Sequence, residues 1–586
     1  MNTIGFSNFR RFATFPEMDL GDITLLGGGN NSGKSTLVKA LLLCVDNLKL
    51  MSSYTKTNIF EFGAPKFRFD ANEWHDVKIK TFSRAIHNKP VPVIDLGSDE
   101  EKTELPSEMR FVFTIGSFRF VFDVYGERDG DEVTGEVSYI SIEDCGNMVK
   151  YDVSFKSHDM CYSVLGSTSE RETLIKRLYR DYKSAKEELE KLSDEGNDIA
   201  AISSQSEKVA SLEKRIEEFV NPDDNELPED FDYEQALRQQ FRNFHAHEYT
   251  TTSWDYLPLE FYYSQLNGNL LVDLIGNFIQ FAKNPGAAAP KDIEDPNEYG
   301  VAMQEYMRIQ AAREDLKQEE DKIRKSQEDL KALLNSFKIE YITAHAANQN
   351  TIYNTADRND YIAQTVHGFV RAKIARGQKE YAFVTDWMRK FGVGHDFDVI
   401  SIDGEAYRVK IKDEDNSTVN LADKGMGSIQ LMILLLRLAT ILREYEPQNI
   451  VALEESDQLR YPTIIIEEPE QNLHPKVQSQ LADLFLYLNR EYFCRFLIET
   501  HSEYIIRKTQ VIVAEQDYKN ENDMKEHNPF MVYFFEPNAS DRPRRMDYAV
   551  SGAFKEKFGE GFFDEASKWD MTIIRKEFEL KKKAKK

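Results

Sequence analysis

Gly28-Gly29-Asn30-Asn31-Ser32-Gly33-Lys34-Ser35 follows the apolar run Ile23 to Leu26 and opens a helical stretch from Gly33 to about Leu50. The octapeptide fits GxxxxGK[ST] in the strand, loop and helix context that gives the pattern its meaning. Glycines let successive backbone N–H groups turn toward a polyphosphate, and the helix N-terminus adds a favourable dipole. Lys34 places a cation on the β and γ phosphates, and Ser35 is placed to coordinate Mg²⁺. Gly28, Asn30, Asn31, Ser32, Gly33, Lys34, Ser35 and Thr36 are the expected nucleotide contacts, with ATP and Mg²⁺ as the expected cofactors.

Far along the chain, Thr463-Ile464-Ile465-Ile466-Glu467-Glu468-Pro469 reads as a buried strand ending in two carboxylates. A parallel strand delivers such acids to the phosphate end of its sheet. Glu467 is expected to hold Mg²⁺ through water, and Glu468 to polarise or deprotonate the attacking water. Ile450 to Glu455 has the same outline but lacks the following Pro-Glu-x-x-Leu-His-Pro, and ranks second as a structural strand or surface loop. Phe496 to Ser502 is a further strand ending in a polar cluster, where His501 can donate a hydrogen bond to the γ-phosphate. Asp423-Lys424-Gly425-Met426-Gly427-Ser428 opens a long helix, and a glycine-rich helix start can receive a second anion.

The rest of the 586-residue chain bounds these readings. A hydrophobic content of 41% permits a large core, and the length fits several domains. The N-terminus lacks a signal-peptide pattern, no run of 18 or more apolar residues appears, and the four cysteines form no CxxC. A soluble, cytoplasmic protein without membrane contact is expected. A net charge of −26 opposes bulk wrapping of nucleic acid, leaving only a local patch for it. The Lys581 to Lys586 cluster reads as a solvated tail.

Arg110 to about Val164 breaks into short β-branched and aromatic runs, which predicts an antiparallel β subdomain. Two seams follow, Leu178 to Leu192 and Val209 to Phe219, separated by the loop-like Ser193 to Asp198. A charged helix from about Glu298 to Phe337 repeats Ile309, Leu316, Ile323, Leu330 and Phe337 every seven residues, which predicts a short, imperfect coiled-coil arm or helical bundle. The predicted organisation is an N-terminal lobe over 1–165, a helical insertion over 166–340 and a C-terminal lobe over 341–586.

In order, GGGNNSGKST, KGMGSIQ, IIIEEPEQNLHP and IETHSEYIIRK resemble the ABC-type ATPases of the SMC, RecF and OLD (overcoming lysogenization defect) group. The resemblance covers about 1 to 50 and 340 to 570, with Asn8-Phe9-Arg10, Tyr341-Ile342 and Gly561 to Glu565 included. It implies an α/β fold: an ABC-type P-loop NTPase head with the β subdomain and the helical arm inserted. It also implies a homodimer or higher homo-oligomer in which ATP on Lys34 and Ser35 of one copy meets Gly425, Gly427 and Ser428 of another. Gln471 to Pro475 would take the D-loop position. The glycine-rich segment departs from LSGGQ, so the trans contact is spread over those three residues. No Q-loop glutamine is identifiable, although Phe82 to Asn88 lies where relatives carry it, and Glu444 to Tyr461 looks like an added loop.

The chain after His501 shows no second cluster of acids set for metal-dependent cleavage. This organisation is similar to ATPase components of bacterial antiphage systems such as Septu and PARIS, where a separate nuclease or toxin is held and released. The resulting expectation is an ATP-hydrolysing sensor that controls a separate effector. The alternatives are a DNA-repair or chromosome-maintenance ATPase that clamps DNA, and an ATP-gated scaffold with little turnover.

Overall fold

The computed structural model describes residues 2–51, 65–69, 79–88, 91–94, 101–104, 107–129, 132–155, 159–165, 249–250, 270–283, 290, 296–343, 350–357, 360–445, 462–536, 542–559 and 565–584, with scattered positions between 182 and 216. The chain opens with the hairpin β1 (Thr3–Phe9) and β2 (Phe12–Asp19), then β3 (Ile23–Gly28) and α1 (Lys34–Met51). Next come β4 (Glu108–Ile115), β5 (Phe118–Asp129), β6 (Glu132–Asp144), β7 (Val149–Ser154) and β8 (Asp159–Leu165). Helices α2 (Leu270–Lys283), α3 (Pro296–Gln318) and α4 (Glu320–Ser336) lead to β9 (Ile339–Ile342). Then follow α5 (Tyr361–Arg371), α6 (Lys379–Lys390), α7 (Met426–Glu444), β10 (Thr463–Glu467), α8 (Pro475–Tyr492) and β11 (Arg495–Glu499). The last elements used below are α9 (Glu503–Ala514), β12 (Phe530–Phe535) and β13 (Arg544–Met546).

Two sheets organise the molecule. One runs β9-β10-β11-β3-β12-β13, parallel except at β13, so β3, which leads into the Gly28 to Ser35 loop, sits between strands that arrive almost five hundred residues later. Successive side chains of a strand alternate faces, and both faces of a parallel sheet are normally covered. Leu26, Ile465, Leu497 and Tyr533 accordingly join a core with α1 and the second sheet. Leu25, Ile464, Ile466, Phe496 and Ile498 join a different core with α5 to α9. The second sheet is antiparallel and runs β8-β7-β6-β5-β4-β1-β2, matching the expected β subdomain and extending it to the first hairpin. A smaller antiparallel sheet pairs Asp396–Ile402 with Ala406–Lys412.

The stretch expected to be one helix from Glu298 to Phe337 is two, α3 and α4, parted at Glu319. Its heptad positions Leu316, Ile323 and Leu330 are buried with Leu274, Phe278 and Tyr151, so this half of the insertion packs on the antiparallel sheet and is not a free arm. Gln327 also donates to the Val272 carbonyl at 3.0 Å, and Asn147 to Asp329 at 2.9 Å. Of the two earlier seams, Tyr182 and Ala185 are buried together with Val209, Leu212 and Ile216. The link Ser193 to Asp198, the competing run Ile450 to Glu455 and most of Glu444 to Tyr461 lie outside the described residues. Among the described residues, α7 alone has the length and hydropathy to cross a membrane. It is packed inside the molecule, and its Arg437 meets Glu340 at 2.6 Å.

Candidate functional site

The loop after β3 is shaped by its neighbours. Gly28 (φ 138°) and Gly33 (φ 109°) hold backbone conformations that L side chains rarely adopt, and Asn31 sits at φ 57°. A Cβ on Gly28 would lie 2.3 Å from the Phe535 carbonyl oxygen, and one on Gly33 would lie 2.4 Å from Cζ of Phe12. The loop is thus clasped between β12 and the first hairpin, whose Arg11 guanidinium donates to the Asn31 carbonyl. Lys34 is buried, and its ammonium donates to the carbonyls of Gly28 (3.1 Å) and Gly29 (2.9 Å). Burial lowers its pKa, while Glu499, Glu468 and Glu470 pull it back up. Ser32 and Thr36 are buried, Asn30 and Asn31 less so.

Strands β10 and β11 end beside this loop and deliver the acids and the histidine. Glu467 closes β10 and accepts a hydrogen bond from the Tyr341 phenol on β9, whose pKa is raised by burial and then by Glu467. Glu468 stands at φ 44°, a left-handed backbone that turns the chain sharply off the strand. Its N–H donates to the Glu499 carbonyl at 2.8 Å, and its carboxylate accepts from the Gln471 amide at 2.6 Å. The other oxygen of Glu468 lies 3.8 Å from Nε2 of His501. Burial first, then Lys34, lowers the His501 pKa against the pull of Glu468, which favours the neutral ring. The ends of β3, β10 and β11 therefore bring Lys34, Glu468 and His501 together.

Two carboxylates at this place were not singled out by sequence. Glu499, the last residue of β11, accepts from the Ser35 hydroxyl at 2.9 Å and lies 3.9 Å from the Lys34 ammonium. Burial, with Glu467 and Glu468 adding to it, pushes its pKa up to about 7 against Lys34 and Ser35. Glu470 is buried and accepts from the His501 N–H at 2.6 Å, so it holds the turn that carries the histidine. Its pKa is raised by burial. Their signals were the Glu-x-x-Glu after the strand and the Glu-Thr-His run, each indistinguishable from solvated strand ends until the strands are placed. Ser35, Glu467 and Glu499 are hard oxygen donors, and the second oxygen of Glu499 is buried without a hydrogen-bond partner; that donor set fits Mg²⁺.

The glycine-rich segment sits apart from this cluster in its contacts. Gly425 is the N-cap of α7, is exposed, and as glycine offers no side-chain acceptor to the first N–H groups of the helix. Lys424 is turned away onto Asp413 at 2.6 and 2.8 Å. Gly427 plays a different part, since a Cβ there would lie 2.7 Å from the Asn472 carbonyl, in the segment that follows Glu467 and Glu468. Ser428 donates its N–H to the Gly425 carbonyl at 2.9 Å. Phe82 to Asn88, where a glutamine loop was sought, is a helical turn tied to the first hairpin by His87, whose ring meets the Arg10 carbonyl at 2.8 Å.

Among solved structures, the chain is similar to the Smc head domain with an extended coiled coil bound to the C-terminal domain of ScpA from Pyrococcus furiosus. That match has 10% identity, 94% of this chain and 96% of that chain covered, and a TM-score of 0.28. A Smc head domain with a coiled coil and joint from Pyrococcus yayanosii aligns at 12% identity over 94% and 97%, with a TM-score of 0.30. Scores this low leave the fold to be judged by its own sheet order and loop geometry. No curated protein matches the chain. The family described as AAA ATPase domain matches residues 1–506, which include the loop of Lys34, the paired acids of β10 and His501, and the chain belongs to that family.

Proposed function

We propose that the chain binds ATP with Mg²⁺ and hydrolyses it at a composite site of the ABC type, completed by a second copy of itself. The observation that carries this reading is the meeting of Lys34, Glu468 and His501 at the ends of β3, β10 and β11. Lys34 exchanges its two loop carbonyls for β- and γ-phosphate oxygens, and the N–H groups of Asn30 to Thr36 line the polyphosphate. Bound Mg²⁺ supplies charge neutralisation on those oxygens, with Ser35 and Glu467 as its expected protein contacts. Glu468, oriented by Gln471 and by its left-handed backbone, accepts a proton from the attacking water. A neutral His501 donates one ring N–H toward the γ-phosphate. The exposed start of α7 in the second copy, Gly425 with Gly427 and Ser428 behind it, receives the same phosphate and makes the nucleotide part of the interface.

ATP turnover and solution mass test this directly in wild type, Lys34→Ala and Glu468→Gln. Glu468→Gln is expected to hold ATP in a stable oligomer while losing roughly 100-fold or more of the turnover, and Lys34→Ala to bind none. Normal hydrolysis by both variants would remove the assignment.

We also infer that the output passes to a separate effector, a nuclease or toxin, in antiphage defence. The acidic charge of −26 supports a protein partner over nonspecific duplex wrapping. Metal-dependent nuclease activity of the chain alone would overturn this, and ATP-dependent, salt-sensitive duplex binding by the lone chain would favour an SMC- or RecF-like role on DNA instead.

A further inference from the structure

We propose that Glu499 makes nucleotide capture conditional on a divalent cation, standing beside the phosphate loop as a carboxylate that, when ionised, rejects metal-free polyphosphate and accepts the cation that accompanies it. The inference rests on the ATP-site reading above and deepens it.

Register places Glu499 directly across from Glu467 on β10 and from Leu26 on β3, at the tip of the strand between the two. One of its oxygens is committed to the Ser35 hydroxyl at 2.9 Å. The other is buried with no hydrogen-bond partner, and the side chain is only 6% exposed. A buried carboxylate oxygen without a donor is costly, so it is retained where something else completes it. The nearby ammonium does not, because Lys34 is already satisfied by two carbonyls and its 3.9 Å approach is to the oxygen that Ser35 already engages.

An incoming triphosphate brings several negative charges to the loop that follows β3, the strand whose Leu26 faces Glu499. Burial weakens solvent screening, so a like charge at this distance opposes entry far more than it would on the surface. A Mg²⁺ or Mn²⁺ ion reverses the sign of that interaction, with Ser35 already turned toward the carboxylate that would share it. Glu499 is then a positioning residue for the metal–nucleotide pair and takes no proton from the attacking water.

Binding of ATP is measured by calorimetry at about pH 8, where carboxylates are ionised, in Mg²⁺ and again in EDTA, for wild type, Lys34→Ala and Glu499→Gln. Glutamine keeps the shape and the acceptor for Ser35 while removing the charge. Wild type is expected to bind at least roughly tenfold more weakly in EDTA, and Glu499→Gln to narrow that ratio to about threefold or less. Mn²⁺ resonance titrations in the presence of ATP should show weaker metal retention in Glu499→Gln than in wild type.

Equal affinity of the wild type in Mg²⁺ and EDTA overturns the proposal without any variant, and covers the case in which the glutamine variant does not fold. An unchanged ratio in a folded Glu499→Gln overturns it as well, leaving the ATP site intact. If wild type fails to bind ATP in Mg²⁺, or Lys34→Ala binds equally well, the underlying site assignment falls instead.

Discussion

Gly425 and Gly427 are two residues apart and do different work. Gly425 caps an exposed helix start where an added Cβ meets open space among the described residues, whereas at Gly427 it would meet the Asn472 carbonyl at 2.7 Å. Gly425→Ala should therefore cost less than about 1 kcal/mol of stability, and Gly427→Ala about 1 to 3 kcal/mol, read from urea unfolding midpoints. Equal losses would show that the two glycines are not distinguished by packing. A second residue-scale prediction concerns Glu136, which accepts from the Tyr125 phenol at 2.9 Å. Burial, and then Glu127, raises its carboxyl pKa to about 7 from an ordinary 4.5. The folded state thus holds this proton more tightly than the unfolded chain, and stability from this group declines as pH rises from about 4.5 to about 7. Unfolding midpoints near pH 5 and pH 8 should differ less in Glu136→Gln than in wild type; an identical difference would contradict the assignment.

At the scale of elements, α4 is the informative case. Its seven-residue spacing reads equally well as a coiled-coil seam or as the inward stripe of a helix on a sheet, because both demand apolar residues on one face. Only the partner decides, and the partners are α2 and the antiparallel sheet. Leu330 is fully buried there, so Leu330→Ala should lower the stability of the folded protein by about 2 to 5 kcal/mol in denaturant titrations. A free arm would give almost no change. Explicit start signals mark two helices: His474 and Pro475 open α8, with the imidazole accepting from the Lys476 N–H, and Ser502 caps α9 by accepting from the Ile505 N–H. Strand β12 had no such mark. It is six apolar and aromatic residues, Phe530 to Phe535, with no chemistry at its end to announce that it borders β3.

For the whole molecule, the phosphate loop, the paired acids and His501 were legible because each is a short pattern whose chemistry admits few substitutes. Glu499 and Glu470 were not, since their meaning comes from which strands lie side by side. The sheet makes a further demand. β3 takes both of its neighbours, β11 and β12, from beyond residue 490. Arg495 reinforces the join by donating to the Asn2 side chain and the Leu20 carbonyl, each at 3.1 Å. Residues 1–340 and 341–586 produced separately should each fail to bind ATP and largely precipitate, while co-production restores soluble, ATP-binding protein. Binding by the first piece alone would mean that the loop is preorganised without its sheet.

That same arrangement sets a waiting time during synthesis. β3 has left the ribosome when residue 28 is clear, yet the strand that must lie against it begins at residue 495. At about 5 to 20 residues per second, the interval is on the order of a minute. Through that minute a strand destined for burial along its whole length has no native neighbour in its sheet, so successful production in the cell depends on something shielding the nascent chain until its far end emerges.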